Sequence, residues 1–113
     1  MSGSVKLNRA LDLQSAVLTD DGAGGTRSSW SSLGTMWAEV RPGTGRETDR
    51  DSLPVASTRL RIIVRAAPVG APSRPRPDQR FVEGQRIYNV MSVAEMSTDQ
   101  KYLVCHAVEE VIQ

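Results

Sequence analysis

Cys105 and His106 stand side by side, the single cysteine and the single histidine of the chain. A thiolate beside an imidazole is the pairing of a nucleophilic enzyme. The segment around them alternates apolar and polar residues, which is the signature of a strand, and neighbours on a strand point to opposite faces. The two side chains therefore cannot form a dyad. Cys105 reads as a buried, inert thiol and His106 as a surface or interface residue. One cysteine and one histidine also leave no zinc cluster. Glu109 and Glu110 alternate faces in the same way, which rules out an acid–base partnership. Gly22-Ala23-Gly24-Gly25 suggests a phosphate cradle, but no Lys-Ser/Thr follows and no helix starts there. The serines are many, yet none sits in a Gly-x-Ser-x-Gly elbow. The expectation is a protein that is not an enzyme and uses no cofactor and no metal.

Composition narrows the class further. The 113 residues suit one domain. Apolar residues make up 39% and aromatic residues only 4%, so the core must be built mainly from Leu, Val, Ile, Met and Ala. Trp30, Trp37, Phe81, Tyr88 and Tyr102 are the few large pieces available to it. Net charge is +1, too near neutral to mark the whole chain as a nucleic-acid binder. Seven arginines lie between Arg59 and Arg86, whereas Glu95 to Glu110 is mostly acidic. Such bipolar charge suits head-to-tail stacking or ring formation; a merely mixed, soluble surface is the alternative. A lone cysteine excludes an internal disulfide. Without a signal peptide, a long apolar run or a lipidation motif, the expected setting is a reducing cytoplasm, with no membrane.

The elements that must position these residues are strands. Met1 to Lys6 reads as a flexible tail (1–6), ahead of a single domain over 7–113. Ala10 to Thr19 alternates with period two. Asp20 to Gly25 is a hairpin tip, with glycines for positive φ and aspartates that favour turns. Arg27 to Leu33 forms a second strand, ended by Gly34, and Met36 to Arg41 a third. Trp37 there either caps the core edge or lies in a subunit contact. A long polar loop (42–56) follows, and loops of that length are usually functional.

Thr58 to Ala66 is the cleanest strand. Leu60, Ile62 and Val64 point one way, and Arg59, Arg61 and Arg65 the other. Ile63 sits among the arginines and hints at a covered outer surface. The three arginines suit DNA phosphates or a partner's carboxylates equally. A second long loop (67–79) carries Pro68, Pro72, Pro75 and Pro77, which favour extended backbone. It reads as an arm against a neighbour, with Arg74 and Arg76 as interface candidates, or as a passive linker. Arg80 to Glu95 is a hairpin turning at Glu83-Gly84, with a bulge near Asn89 to Val93. Lys101 to Val111 is the last strand. The sum is an all-β fold: a small antiparallel β-barrel of about seven strands with two long loops.

The order of these features resembles one family. Leu7-Asn8-Arg9 with Leu13-Gln14, the Asp20 to Gly25 turn, Trp30, Trp37-Ala38-Glu39-Val40-Arg41-Pro42 and then Gly45-Arg46-Glu47 resemble the head-closure, or stopper, proteins. These join head to tail in tailed phages and phage-like gene transfer particles. The resemblance runs from Leu7 to Val108. It implies a small β-barrel that assembles as a homo-oligomeric ring, a hexamer or dodecamer, in the virion neck. It places the portal and adaptor ring on the head side, the tail terminator on the tail side and double-stranded DNA in the lumen. Assembly would take place in the bacterial host cytoplasm. The loop after the third strand would point into the channel, presenting Gly45, Arg46, Glu47, Asp49, Arg50 and Asp51, with Arg46 and Arg50 nearest the DNA. An ordinary covering loop is the alternative, and the proline-rich loop competes for the role of gate. Two features depart from the family pattern: the length of that proline-rich connection and the basic Arg59-Arg61-Arg65 face.

Another neck component, an adaptor or terminator, would need helices that this chain lacks. A small OB-like or SH3-like nucleic-acid-binding barrel would need aromatics interleaved with the bases, and the Arg59 to Arg65 strand has none.

Overall fold

A computed structural model describes residues 4–43, 58–96 and 101–110. Six strands make up the architecture: β1 (Arg9–Asp20), β2 (Thr26–Pro42), β3 (Thr58–Arg65), β4 (Arg80–Glu83), β5 (Arg86–Glu95) and β6 (Tyr102–Glu109). They close into an antiparallel barrel in the order β1-β2-β3-β6-β5-β4. Closure removes the open edges that would otherwise recruit other strands.

The all-β expectation holds, and the strand count falls from about seven to six for one reason. Gly34 does not end a strand. It takes φ +124°, a region that L side chains rarely adopt. The pairing slips by one residue there: Leu13 faces Gly34 but Gln14 faces Ser32, leaving Leu33 unmatched. Residues 27–33 and 36–41 therefore belong to one 17-residue strand with an irregularity inside it. Pro42, expected in the long loop, is instead the last residue of β2, paired with Leu60. The predicted bulge in the 80–95 hairpin is present, with the register shifting between Val90 and Ser92.

Alternation fills the interior. Leu11 and Leu13 of β1, Ile62 and Val64 of β3, Phe81 of β4, Tyr88 and Val90 of β5, and Leu103, Cys105 and Ala107 of β6 are all buried. The two tryptophans are not part of this core. Trp30 is 40% exposed and Trp37 is 59% exposed. Trp37 falls on the outward-facing positions of β2, and Trp30 lies beyond the barrel altogether. Ile63, by contrast, is only 2% exposed although it occupies an outward position between Glu39 and Val104.

One end of the barrel interior is sealed by a polar plug. Arg9 donates to both carboxylate oxygens of Glu83, and the Tyr88 hydroxyl donates to Glu83 Oε1 at 2.9 Å. The Arg86 guanidinium stacks 5.3 Å from the Tyr88 ring centre and pairs with Glu109 at 2.8 Å. The Arg9 hydrogen bond holds the Glu83 carboxyl below the ordinary value of 4.5, and Arg86 does the same for Glu109. Burial, reinforced by the bond to Glu83, pushes the Tyr88 hydroxyl up to about 12. Arg41 likewise lowers Glu39.

Carboxyls with depressed folded-state values stabilise the fold fully above the unfolded value, and that contribution is lost as pH falls through the folded value. Stability should therefore be level above pH 4.5 with respect to these groups and decline below it. Replacing Glu83 with Gln should cost about 1 kcal/mol near neutral pH, since the pair is partly exposed. It should also flatten the acid decline. Urea titrations at pH 7 and pH 3.5 measure both effects.

Candidate assembly interface

The apolar inner face of β1 stops at Leu13. The next residues on that face are Ser15, Val17 and Thr19, and opposite them on β2 stand Ser31, Ser29 and Arg27. Apart from Val17 this inner face is polar and has no core to cover, so beyond Gln14 the β1–β2 pair leaves the barrel. β4 pairs with β1 only from Asp12 to Gln14, and β3 pairs with β2 only from Ala38 to Pro42. Residues 15–20 and 26–33 are thus a two-stranded arm with both edges open. Six residues at roughly 3.3 Å each carry its tip about 20 Å out.

The root of the arm is braced. Ser32 Oγ donates to Asp12 Oδ1 at 2.6 Å, Gln14 Nε2 donates to Asp12 Oδ2 at 2.8 Å, and Arg80 Nε donates to Gln14 Oε1 at 2.8 Å. The Arg80 guanidinium then lies over the Trp30 ring, 4.1 Å from its centre. Beyond this root the arm carries exposed apolar groups on both faces, Val17 on one and Leu18 on the other, with Leu18 69% exposed. An isolated two-stranded hairpin is marginal in water. Its tip is an aspartate turn: Asp20 Oδ1 accepts from the Gly22 N–H, and Asp21 Oδ1 from those of Ala23 and Gly25. Among the described residues no arginine or lysine pairs with either carboxylate.

The opposite end of β2 leads to the arginine face. The Gly43 N–H donates to the Arg59 carbonyl at 2.9 Å, and a Cβ on Gly43 would stand 3.0 Å from that backbone. On the outer face, Arg41, Arg61 and His106 form one cross-strand row. Glu39 accepts two bonds from Arg41, at 2.7 and 3.2 Å, and so compensates one charge of the row. Among the described residues neither Arg61 nor Arg59 has such a partner, and the Nε atoms of both are buried without a hydrogen bond. Together with Met91, His106 and Val108 they line a shallow recess.

The other predicted residues are scattered. Arg65 is exposed beside Trp37 at the far end of β3, in a separate depression that includes Met36 and Leu7. Arg74 braces its own loop by donating to the Ala67 carbonyl at 3.0 Å. Arg76 is exposed on that loop. Gly45, Arg46, Glu47, Asp49, Arg50 and Asp51 lie outside the described residues. Cys105 is buried, and its thiol is pushed up to about 12 by that burial, while His106 is exposed on the other face of β6. Among the described residues no group of acidic, cysteine or histidine side chains is placed to hold a metal ion.

Sequence reasoning missed the arm. The signal was present in the polar residues at Ser15, Thr19, Ser29 and Ser31, where an apolar inner face should have continued. It also missed Met91, whose exposure follows from the bulge. The acidic stretch near the end of the chain is less free than its composition implies, because Glu109 is paired with Arg86 inside the molecule.

The described residues form a closed barrel with an arm at one end and an arginine-lined recess at the other. A family model for phage head completion proteins matches residues 3–110, and the chain belongs to that family. Among solved structures, a chain from the virion of a native gene transfer agent particle is 49% identical, with a TM-score of 0.79 over 97% of this chain and 100% of that one. The solution structure of protein SF1141 from Shigella flexneri 2a is 17% identical, with a TM-score of 0.71 over 99% of this chain and 100% of that one, a likeness of fold. No curated protein sequence matches.

If the Arg80–Trp30 stack fixes the arm, Trp30→Ala should raise amide exchange in residues 15–20 and 26–33 severalfold. Cation–π contacts at such sites contribute about 0.5–1 kcal/mol. Exchange in β3 and β6 should stay unchanged, and hydrogen-exchange mass spectrometry separates the two regions.

Proposed function

We propose that this protein is a structural component of the head–tail neck in a tailed phage or phage-like particle. Copies form a ring below the portal and adaptor, hold packaged DNA in the head and present a docking surface for the tail. Its location is the virion and its role is architectural, not catalytic. The observation that carries this reading is the near-full-length, 49% identical match to a gene transfer agent virion chain, within a family of head completion proteins.

The physical layout supports the reading. A neck ring needs a subunit body that does not deform and peripheral segments that reach neighbours. The closed barrel supplies the first, and the arm and the arginine face supply the second. For DNA retention we assign the segment that leaves β2 at Gly43 and returns at Thr58, with Arg46 and Arg50 nearest the phosphates. Inter-subunit pairs such as Arg46 with a neighbour's Glu47 would each contribute ~0.2–1 kcal/mol, and a ring multiplies them by its copy number. Such a gate is strong as a set and weak enough per contact for ejection to break.

Particles made without this protein should appear in electron micrographs as filled heads lacking tails, with DNA leaking on storage. Fully tailed, DNA-transferring particles in its absence would overturn the assignment. Changing Arg46 and Arg50 to Glu should lower nuclease-protected DNA per particle while leaving the monomer's thermal transition in place. Unchanged protection would remove these two arginines from the gate.

A further inference from the structure

The arm tip and the arginine recess sit at opposite ends of the molecule, because β2 runs the whole way between them. The long axis measures 56 Å, so the two cannot meet within one chain. Each is nonetheless incomplete. The recess holds two arginine Nε atoms buried without a hydrogen bond, a state that leaves donors unsatisfied. The tip holds Asp20 and Asp21, which have no cationic partner among the described residues. Leu18 and Asp20 share one face of β1, and beside the recess Met91 is 59% exposed. One surface thus offers an apolar group and a carboxylate two residues apart. The other offers an apolar group beside guanidinium donors. Arg27, the cation nearest the tip, lies opposite Thr19 and so on the other face from Asp20.

We propose that the tip of the β1–β2 arm of one copy seats in the Arg59–Arg61 recess of the next, Leu18 against Met91 and Asp20 against Arg61. The occupant is a second copy of this chain, and the warrant is the matched charge and apolar pattern. The inference deepens the ring reading and rests on it. The contact is heterologous: each copy gives a tip and receives a tip. Heterologous contacts generate closed rings when the rotation between copies closes. A single tip–recess contact is small, and closure lets many weak contacts act together.

Disulfide trapping tests the geometry. In a variant carrying Asp20→Cys and Arg61→Cys, mild oxidation should yield a ladder of covalent oligomers beyond the dimer. Either single substitution alone should yield dimers at most, and buried Cys105 should not contribute. Charge exchange tests the energetics. Asp20→Arg and Arg61→Asp should each weaken self-association about tenfold by analytical ultracentrifugation, the scale of a close interfacial charge pair. The two together should restore it. Wild-type rings with no ladder and no rescue would overturn the clasp and leave the ring intact. A wild-type chain that is monomeric at all concentrations and in particles would overturn both. Loss of DNA retention in Arg61→Asp particles with unchanged self-association would assign the recess to phosphates instead and end the proposal.

Discussion

β1 meets β4 over only three residues, Asp12 to Gln14, and that short ladder turns an open six-stranded sheet into a closed barrel. Everything else follows from where the ladder ends. From Asp12 to Gln14 the strand has two neighbours, and Leu11 and Leu13 face the core. Past it the strand has one neighbour and polar residues on the side that faced the core. Two of these three residues also brace the arm, since Asp12 accepts a bond from Ser32 and Gln14 accepts one from Arg80. Closing the barrel and aiming the projection are therefore one structural event. A change that loosened this ladder would disturb both the core around Leu13 and Phe81 and the direction of the arm.

The ion pairs divide the surface into spent and unspent charge. Arg9 with Glu83, Arg41 with Glu39 and Arg86 with Glu109 are committed within the chain. They reinforce the barrel and contribute little to recognition. Arg59 and Arg61 at one end and Asp20 and Asp21 at the other have no such partners among the described residues. The uncommitted arginines and the tip aspartates therefore lie at opposite ends of β2. In the proposed clasp, head-to-tail contact brings opposite charges together, whereas symmetric pairing of either end would bring like charges together.

Much of the barrel was legible in the residues. Leu60-Ile62-Val64 against Arg59-Arg61-Arg65, Leu103-Cys105-Ala107 against His106, and the turn at Glu83-Gly84 read directly as strands and faces, because period-two alternation reports burial on one side. The bulge near Met91 was visible as a slip in the same pattern. Sequence alone counts the tryptophans among the large pieces available to the core, with Trp37 left open between its edge and a subunit contact, whereas burial is decided by tertiary placement. Trp30 is on an element that leaves the barrel, and Trp37 falls on the outer parity of β2. Gly34 was misread because a glycine ends some strands and permits a slip in others, and only the partner strand distinguishes the two. The arginine recess combines residues from β3, β5 and β6, so no local window contains it.

Pro42 and Gly43 have a consequence of a different kind. Pro42 is locked opposite Leu60, and Gly43 presses against the Arg59 backbone too closely for any side chain to fit easily. The chain is thus pinned on both sides of the point where it departs from the sheet and rejoins it. Lengthening the intervening stretch adds only a slowly growing closure entropy and leaves the pinned junction as it is. That makes the junction a natural socket: what is inserted between residues 43 and 58 can change in length and chemistry while the surrounding wall keeps one design.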